Sequence, residues 1–95
     1  MKQIFSSLVA AALISVAPVA LAAECYADYK AKQDNPLRLH YGVMHVSSCD
    51  KGQATSEVAQ RLSGSGWTLL NVQSVFGPEG LDQRKANAGQ FHLRF

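Results

Sequence analysis

The clearest pattern in the chain is an alternation of side-chain types over residues 37–43, within a strand expected at residues 37–46. One set of alternate positions is apolar (Leu37, Leu39, Tyr41 and Val43), and the other set is not (Arg38, His40 and Gly42). Successive side chains of a β-strand point to opposite faces of the sheet. The pattern therefore predicts a half-buried strand with the apolar set facing the core.

A helical period follows this strand. Between residues 53 and 63 the apolar side chains recur at intervals of four, at Ala54, Val58 and Leu62. This spacing places them on one face of an amphipathic helix. Asp50 or a neighbour can cap its N-terminus, and Gly64 and Gly66 can end it, because glycine readily adopts the left-handed conformation found after a helix.

Three further segments carry β-strand patterns. Residues 26–32 alternate Ala or Tyr with Asp or Lys, although a short helix is the alternative there, and residues 67–76 are rich in β-forming residue types. The last alternating segment places Phe91, Leu93 and Phe95 opposite His92 and Arg94. Residues 34–36, Asp-Asn-Pro, favour a turn, because Asx side chains bond the local backbone and proline fixes φ.

In chain order these segments predict strand, strand, helix, strand, strand. The fold class that follows is α+β, with a small antiparallel-dominated sheet and one helix packed on one face. No internal repeat, low-complexity tract or long linker divides the pattern. A single small domain is expected.

The first 22 residues have a different character and predict a cleavable signal peptide. A positive start with Lys2 precedes an apolar stretch at residues 8–16, and Pro18 stops a helix before the small residues Ala20 and Ala22. Cleavage after Ala22 is the first expectation. Cleavage one residue later is the second.

Two forms of membrane attachment are alternatives to this prediction. Residues 4–23 approach the length of a spanning helix, but their alanines, serines and Pro18 favour a cleaved signal over an anchor. Lipidation of Cys25 would need a small residue before it, and Glu24 stands there. The expected product has no membrane anchor after cleavage. Its expected location is the periplasm, with the surrounding medium as the alternative.

Size and cysteine content point to a disulfide. Residues 23–95 are 73 residues with eight Lys and Arg against seven Asp and Glu, a net charge of +1. A domain this small has a thin margin of hydrophobic stability. It holds two cysteines, Cys25 and Cys49, in an oxidising compartment, and a hairpin about residues 34–36 would bring them together. We expect one structural disulfide. A redox pair or a metal site is disfavoured because no Cys-x-x-Cys is present.

A family resemblance covers residues 26–95. It is carried by residues 36–42 (PLRLHYG), 66–72 (GWTLLNV) and 75–82 (VFGPEGLD). The chain resembles small uncharacterised exported proteins of proteobacteria, and its later part is similar to small strand-helix-strand-strand domains of unknown function. The resemblance supports the fold, and it implies no activity.

Two mirrored stretches form a candidate anion site. Arg38-Leu39-His40 and His92-Leu93-Arg94 lie on predicted strands with their leucines inward. If the strands are neighbours, two Arg and two His share the opposite face (Arg38, His40, His92 and Arg94). Such a face could bind phosphate or carboxylate, more tightly once the histidines protonate below about pH 6.5. An ordinary solvated sheet face is the alternative, given the near-neutral net charge.

Residues 77–89 form the other candidate site. This stretch is longer than most hairpin connections and holds four charged side chains (Glu79, Asp82, Arg84 and Lys85). A mobile contact loop is the favoured interpretation, since long loops are often functional. Acid–base chemistry by its carboxylates would need a desolvated cleft, for which a small domain has little depth.

Other chemistries find little support. His40 and His45 point to opposite faces of one strand and cannot chelate a metal together. Trp67 is expected to be a core anchor, and residues 63–66 follow a helix, which is the wrong order for a phosphate loop. No catalytic residue, cofactor, metal or nucleic-acid partner is predicted.

The function that these observations favour is a small periplasmic binding or interaction module. Its partner would be another protein or a small anionic ligand. A small secreted enzyme or an enzyme inhibitor is the alternative. The enzyme would need a nucleophile with a base, or a metal constellation, and spacing alone assembles neither.

Overall fold

The structure, a computed structural model, describes residues 24–95, so the predicted signal peptide and its cleavage site lie outside the described residues. Three strands form one antiparallel sheet in the order β2-β1-β3. The elements are β1 (Cys25–Gln33), β2 (Arg38–Val46), α1 (Lys51–Gly64), β3 (Thr68–Phe76) and α2 (Asp82–Ala88), with short 3-10 turns at Pro78–Gly80 and Gly89–Phe91. The predicted α+β class, with a helix packed on an antiparallel sheet, is confirmed.

Strands β1 and β2 form a hairpin about the predicted turn. Their register pairs Gln33 with Arg38 at the turn and Cys25 with Val46 at the opposite end. Asn35 adopts a φ of 63° in the turn, a conformation that asparagine tolerates better than most residues. We call the end of the sheet that holds this turn the tip.

Both faces of β2 contain buried residues, and the face that packs under α1 is not the one predicted. The face under α1 carries His40, Gly42, Met44 and Val46. Leu37 and Leu39, expected in the core, are 64% and 66% exposed. The reason is the pairing with β1, whose fully buried Tyr29 lies opposite Gly42. A Cβ at Gly42 would lie 2.6 Å from the Tyr29 ring carbon Cζ, so glycine makes room for this ring.

Helix α1 follows the sequence prediction closely. Asp50 caps it by accepting a hydrogen bond of 2.9 Å from the Gln53 backbone N–H. The three apolar residues at helical spacing are fully buried against the sheet (Ala54, Val58 and Leu62). The chain leaves the helix through Ser65 and Gly66, whose φ of 85° is left-handed.

The predicted disulfide is present. It joins Cys25, the first residue of β1, to Cys49, two residues before α1, with their Cα atoms 5.4 Å apart. The bond therefore ties the start of the helix to the central strand at the end of the sheet opposite the tip.

The last nineteen residues of the fold depart from the prediction. Residues 77–89, expected as an irregular loop, contain α2, which covers part of the second sheet face. A small core there comprises Tyr26, Val43 and Ala88, with Tyr41, Phe76 and Leu81 against it. No helix among residues 24–95 is long and apolar enough to cross a membrane.

The fourth strand predicted at residues 91–95 does not form. A 3-10 turn occupies Gly89–Phe91, and one isolated parallel bridge joins Val43 to His92. Leu93 donates its backbone N–H to Val43 at 2.8 Å, has a φ of 58° and is 44% exposed, so it does not face the core as expected. The positive φ turns the chain away from β2 after this contact, and a ladder cannot extend.

Candidate functional site

A shallow polar cavity of about 440 Å³ opens at the tip, on the side of the sheet that α1 covers. Arg38, the first residue of β2, and Arg94, near the end of the chain, both line it. Its other lining residues are Gln33, Ser65, Trp67, Gln90, Phe91 and Phe95. The cavity thus joins two cationic side chains to two amides, a hydroxyl and three aromatic rings.

The side of the cavity near Trp67 is positioned by hydrogen bonds and by the turn that follows α1. The backbone N–H of Trp67 donates to the Leu62 carbonyl at 2.9 Å as the chain leaves α1, and Gly66 turns it toward β3. Gln33, at the end of β1, donates its side-chain amide to the Gly66 carbonyl at 3.2 Å. The turn after the helix is therefore held against the tip of the sheet.

His40 lies beneath this cavity in a layer of aromatic rings. Its imidazole stacks on Phe91 with ring centroids 3.7 Å apart, and Trp67 meets it edge-on at 4.3 Å. The Tyr29 hydroxyl lies 3.0 Å from its Nε2 atom, and the residue is 8% exposed. Contacts of this kind fix the rings that form the cavity floor.

Burial keeps the imidazole of His40 neutral. It lowers the pKa of His40 to about 4, and the positive charge of Arg94 acts in the same direction. Burial also raises the pKa of the Tyr29 hydroxyl to about 12. Neither group carries a charge near neutral pH, so the cationic character of the cavity comes from its arginines.

The structure brings together only part of the predicted anion site. Arg38 and Arg94 line the same cavity, while His40 lies behind its aromatic floor and His92 bridges to Val43 on the edge of β2 and does not line it. The four residues do not share an exposed sheet face, because the fourth strand that would have aligned them is absent. The low pKa of His40 also removes the reason to expect tighter anion binding below about pH 6.5.

The charged residues of the second candidate site separate into two groups. Glu79, Asp82 and Lys85 are exposed. Arg84 instead turns toward the sheet, donates from Nη1 to the Gly80 carbonyl at 2.7 Å and lies 3.8 Å above the Phe76 ring. The segment is therefore not an irregular loop, because it contains α2, and Arg84 bonds within the fold. The contact role expected of its three exposed charges stays a prediction.

The partner of Arg84 is a residue that the sequence analysis did not single out. Asp28, 6% exposed on β1, accepts hydrogen bonds from the Ser74 hydroxyl at 2.6 Å, the Tyr41 hydroxyl at 2.8 Å and Arg84 Nε at 3.1 Å. Burial raises the pKa of Asp28, but the hydrogen bonds from Ser74, Tyr41 and Arg84 and the charge of Arg84 outweigh it and lower the pKa. The ionised carboxylate joins all three strands to α2.

Sequence could have indicated this network only weakly. Asp28 occupies one of the polar alternate positions in residues 26–32. Such positions are expected to face solvent unless another element covers that face of the sheet. Helix α2 covers that face near Asp28, and α2 was not predicted. Because α2 was not predicted, the burial of the Asp28 carboxylate was not predicted either.

Chemical groups typical of enzymes are not assembled in the part of the chain that the structure describes. Residues 24–95 contain no group of three or more His, Cys, Asp or Glu side chains that could hold a metal ion. Within the same range, no histidine side chain hydrogen-bonds a serine or a carboxylate, and His40 pairs with Tyr29.

A pH titration of stability tests the buried state of His40. We expect the free energy of unfolding to fall by about 2 kcal/mol between pH 7 and pH 4.5, because the unfolded chain protonates this residue near its ordinary pKa of 6.5 and the folded state does so only near 4. This contribution is fully present above pH 6.5 and is lost as the pH falls toward 4. Urea unfolding at a series of pH values measures it.

The matched control for this titration is the variant His40→Gln. It has no titrating ring at this position, so most of the slope between pH 6.5 and pH 4 should disappear. NMR of the imidazole protons provides a direct second measurement. A His40 resonance that titrates near pH 6.5 in the folded protein would contradict the buried, neutral state.

Comparison with known proteins assigns no family to the chain. No family model, no curated protein and no solved structure matches it. The resemblance to small exported proteins of proteobacteria stays a prediction.

Proposed function

We propose that this chain is an exported binding module whose cavity captures a small ligand with a carboxylate or phosphate group. The expected signal peptide and the disulfide support an oxidising location outside the cytoplasm, with the periplasm favoured over the medium. The ligand lies between Arg38 and Arg94, above the aromatic floor.

One observation carries this proposal: two arginines that are distant in sequence line a single cavity in which no lining side chain is acidic. None of the eight lining residues is Asp or Glu. Among the described residues, neither Arg38 nor Arg94 forms a salt bridge or a side-chain hydrogen bond. Arg94 lies 5.8 Å from the Phe91 ring centroid and 5.9 Å from that of Phe95, and these rings do not neutralise its charge. A bound anion would neutralise the two guanidinium groups and accept bidentate hydrogen bonds from them.

The remaining lining residues indicate the rest of the ligand. Gln33 and Gln90 offer amide donors and acceptors, and Ser65 offers a hydroxyl. Phe91 and Trp67 present aromatic surface at the floor. The ligand that fits best is therefore a small organic anion with polar substituents and an apolar or flat part.

The alternative, a small secreted enzyme or an enzyme inhibitor, is less well supported. Catalysis needs a nucleophile with a base, or a bound metal ion. The described residues bring neither arrangement together, whereas the paired arginines are present. A protein partner that inserts an acidic side chain into the same cavity is a variant of the binding proposal.

Fluorescence of Trp67 provides the test, because this is the single tryptophan of the chain and it lines the cavity. Titration with benzoate, phenyl phosphate and inorganic phosphate should change its emission in a saturable way for at least one anion. Arg38→Gln or Arg94→Gln should each weaken that binding about tenfold or more, since a hydrogen bond to a charged group contributes about 1.5–3 kcal/mol. Binding of benzoate, which stays ionised over this range, should vary little between pH 5 and pH 8, because His40 stays neutral.

The control variant is Lys51→Gln, which removes an exposed cation at the start of α1, far from the cavity. It should bind the anion as the unmodified protein does. The proposal is wrong if no anion in the series binds, or if Lys51→Gln weakens binding as much as the arginine substitutions do.

A further inference from the structure

Exposed leucines cluster at the tip of the sheet. Leu37 lies in the β1–β2 turn, Leu39 follows at the start of β2, and Leu70 lies near the start of β3, with 64%, 66% and 51% of their surfaces exposed. Leu39, Leu70, Tyr41 and the exposed Lys30 surround a depression of about 280 Å³ on the sheet face opposite α1, and Ala31 and His40 also line it. Helix α2 leaves this part of the face open. A soluble domain seldom groups its exposed apolar residues without a binding role.

Charge is distributed unevenly between the tip and the rest of the domain. Four of the eight basic side chains of residues 24–95 lie at the tip (Lys30, Lys32, Arg38 and Arg94). One of the seven acidic side chains, Asp34, lies there and pairs with Lys32. The tip therefore has a net charge of +3, while the remainder, with four basic and six acidic side chains, has a net charge of −2.

We propose that the tip docks on the surface of an anionic lipid bilayer. Leu37, Leu39 and Leu70 enter the boundary between headgroups and acyl chains, and Lys30 with Arg38 contacts the negative headgroups. Apolar contact and electrostatic attraction together hold a peripheral protein at a membrane surface, and neither requires a spanning segment. The dipole formed by the positive tip and the negative remainder orients the domain with the leucines toward the bilayer.

A bilayer fits these observations better than a second copy of the chain. Two tips that met face to face would bring charges of the same sign together, which opposes association. Leu37 lies in a turn and Leu39 at the end of a strand, and exposed leucines in such positions can insert among lipid headgroups. The depression beside them is not a deep groove of the kind that binds a helix.

Vesicle co-sedimentation tests the proposal. The protein is expressed from its complete sequence in a Gram-negative host and recovered in the exported, disulfide-bonded form. It should sediment with vesicles of equal parts phosphatidylglycerol and phosphatidylcholine, and little with phosphatidylcholine alone. Raising NaCl from about 50 mM to about 500 mM should release most of it, because salt screens the attraction to the headgroups.

Two pairs of matched variants separate the apolar and the electrostatic contributions. Leu39→Ser with Leu70→Ser should lower the partition coefficient about tenfold, and Leu93→Ser, which changes an exposed leucine outside the tip, should change it less than about twofold. Lys30→Gln should lower it about fivefold, and Lys51→Gln should have little effect. These side chains are exposed, so the variants should keep the circular dichroism spectrum of the unmodified protein.

Three results would overturn the proposal. The first is the absence of binding to anionic vesicles. The second is binding that the leucine substitutions leave unchanged, which would indicate nonspecific attraction of a basic end. The third is equal loss for the tip variants and their controls. Arg38 belongs to both proposals and is not altered in the vesicle experiment. The anion cavity can be tested with Arg94→Gln and the fluorescence of Trp67, and neither residue is altered here, so the two proposals can fail independently.

Discussion

Removing the bond between Cys25 and Cys49 is expected to lower the free energy of unfolding by about 3.5 kcal/mol. The bond closes a loop with a sequence separation of 24 residues, and the chain-entropy estimate for a loop of this length gives that figure. The total stability of a small domain is about 5–15 kcal/mol. Urea unfolding of the variant Cys25→Ala with Cys49→Ala, compared with the unmodified protein, measures the loss.

Reductant supplies the control for this experiment. Dithiothreitol should lower the urea midpoint of the unmodified protein to near that of the variant and leave the variant unchanged. An unmodified protein whose midpoint is insensitive to reductant would show that the bond does not form in the purified protein, or that it contributes nothing to stability. Mass spectrometry of alkylated cysteines distinguishes these two cases.

Replacing Asp28 with alanine is expected to cost about 3 kcal/mol of unfolding free energy, since removing one member of a buried ion pair leaves its partner without compensation. Arg84 loses its carboxylate at 3.1 Å, and the hydroxyls of Ser74 and Tyr41 lose their acceptor. The side chain of Arg84 is 20% exposed and can partly rehydrate, which keeps the cost at the lower end of the usual range. Chemical unfolding measures the change.

Asp82→Ala is the matched control, because it removes an exposed carboxylate at the start of α2. It should change stability by less than about 0.5 kcal/mol. The double variant Asp28→Ala with Arg84→Ala should cost less than the sum of the two single variants, since the two side chains interact directly. Strict additivity would contradict the network described here.

The same substitution should also affect the anion cavity. Asp28 holds α2 to the sheet through Arg84, and the chain runs from α2 directly into the segment that carries Phe91 and Arg94. If α2 packs less firmly, the positions of Phe91 and Arg94 should become less well defined, because no regular strand holds either residue in place. The stability of the small second core and the geometry of the proposed binding site are linked through this one carboxylate.

Features with local causes could be inferred from sequence. Helix α1 is specified by its cap at Asp50 and by apolar residues at helical spacing. The residues that end the helix also lie next to it in the sequence. The disulfide followed from the presence of two cysteines and an expected oxidising location. The hairpin turn followed from Asp-Asn-Pro.

The orientation of β2 could not be inferred in this way. Alternation defines two sets of side chains on a strand and does not say which set is buried. The set that contains His40 and Gly42 lies inside because Tyr29 of β1 fills the space above Gly42, and that contact joins residues on two paired strands. The other set is divided: Val43 is buried in the second core, and Leu37 and Leu39 form the apolar surface of the tip.

The end of the chain depends most on distant contacts. Helix α2 has seven residues, too few for a stable helix without tertiary packing, and it is held by the ion pair between Arg84 and Asp28. Arg38 and Arg94 meet because the final segment folds back along β2 with one bridge at Val43. Sequence identified both arginines through local charge and spacing, whereas the cavity between them depends on long-range packing that no local pattern encodes.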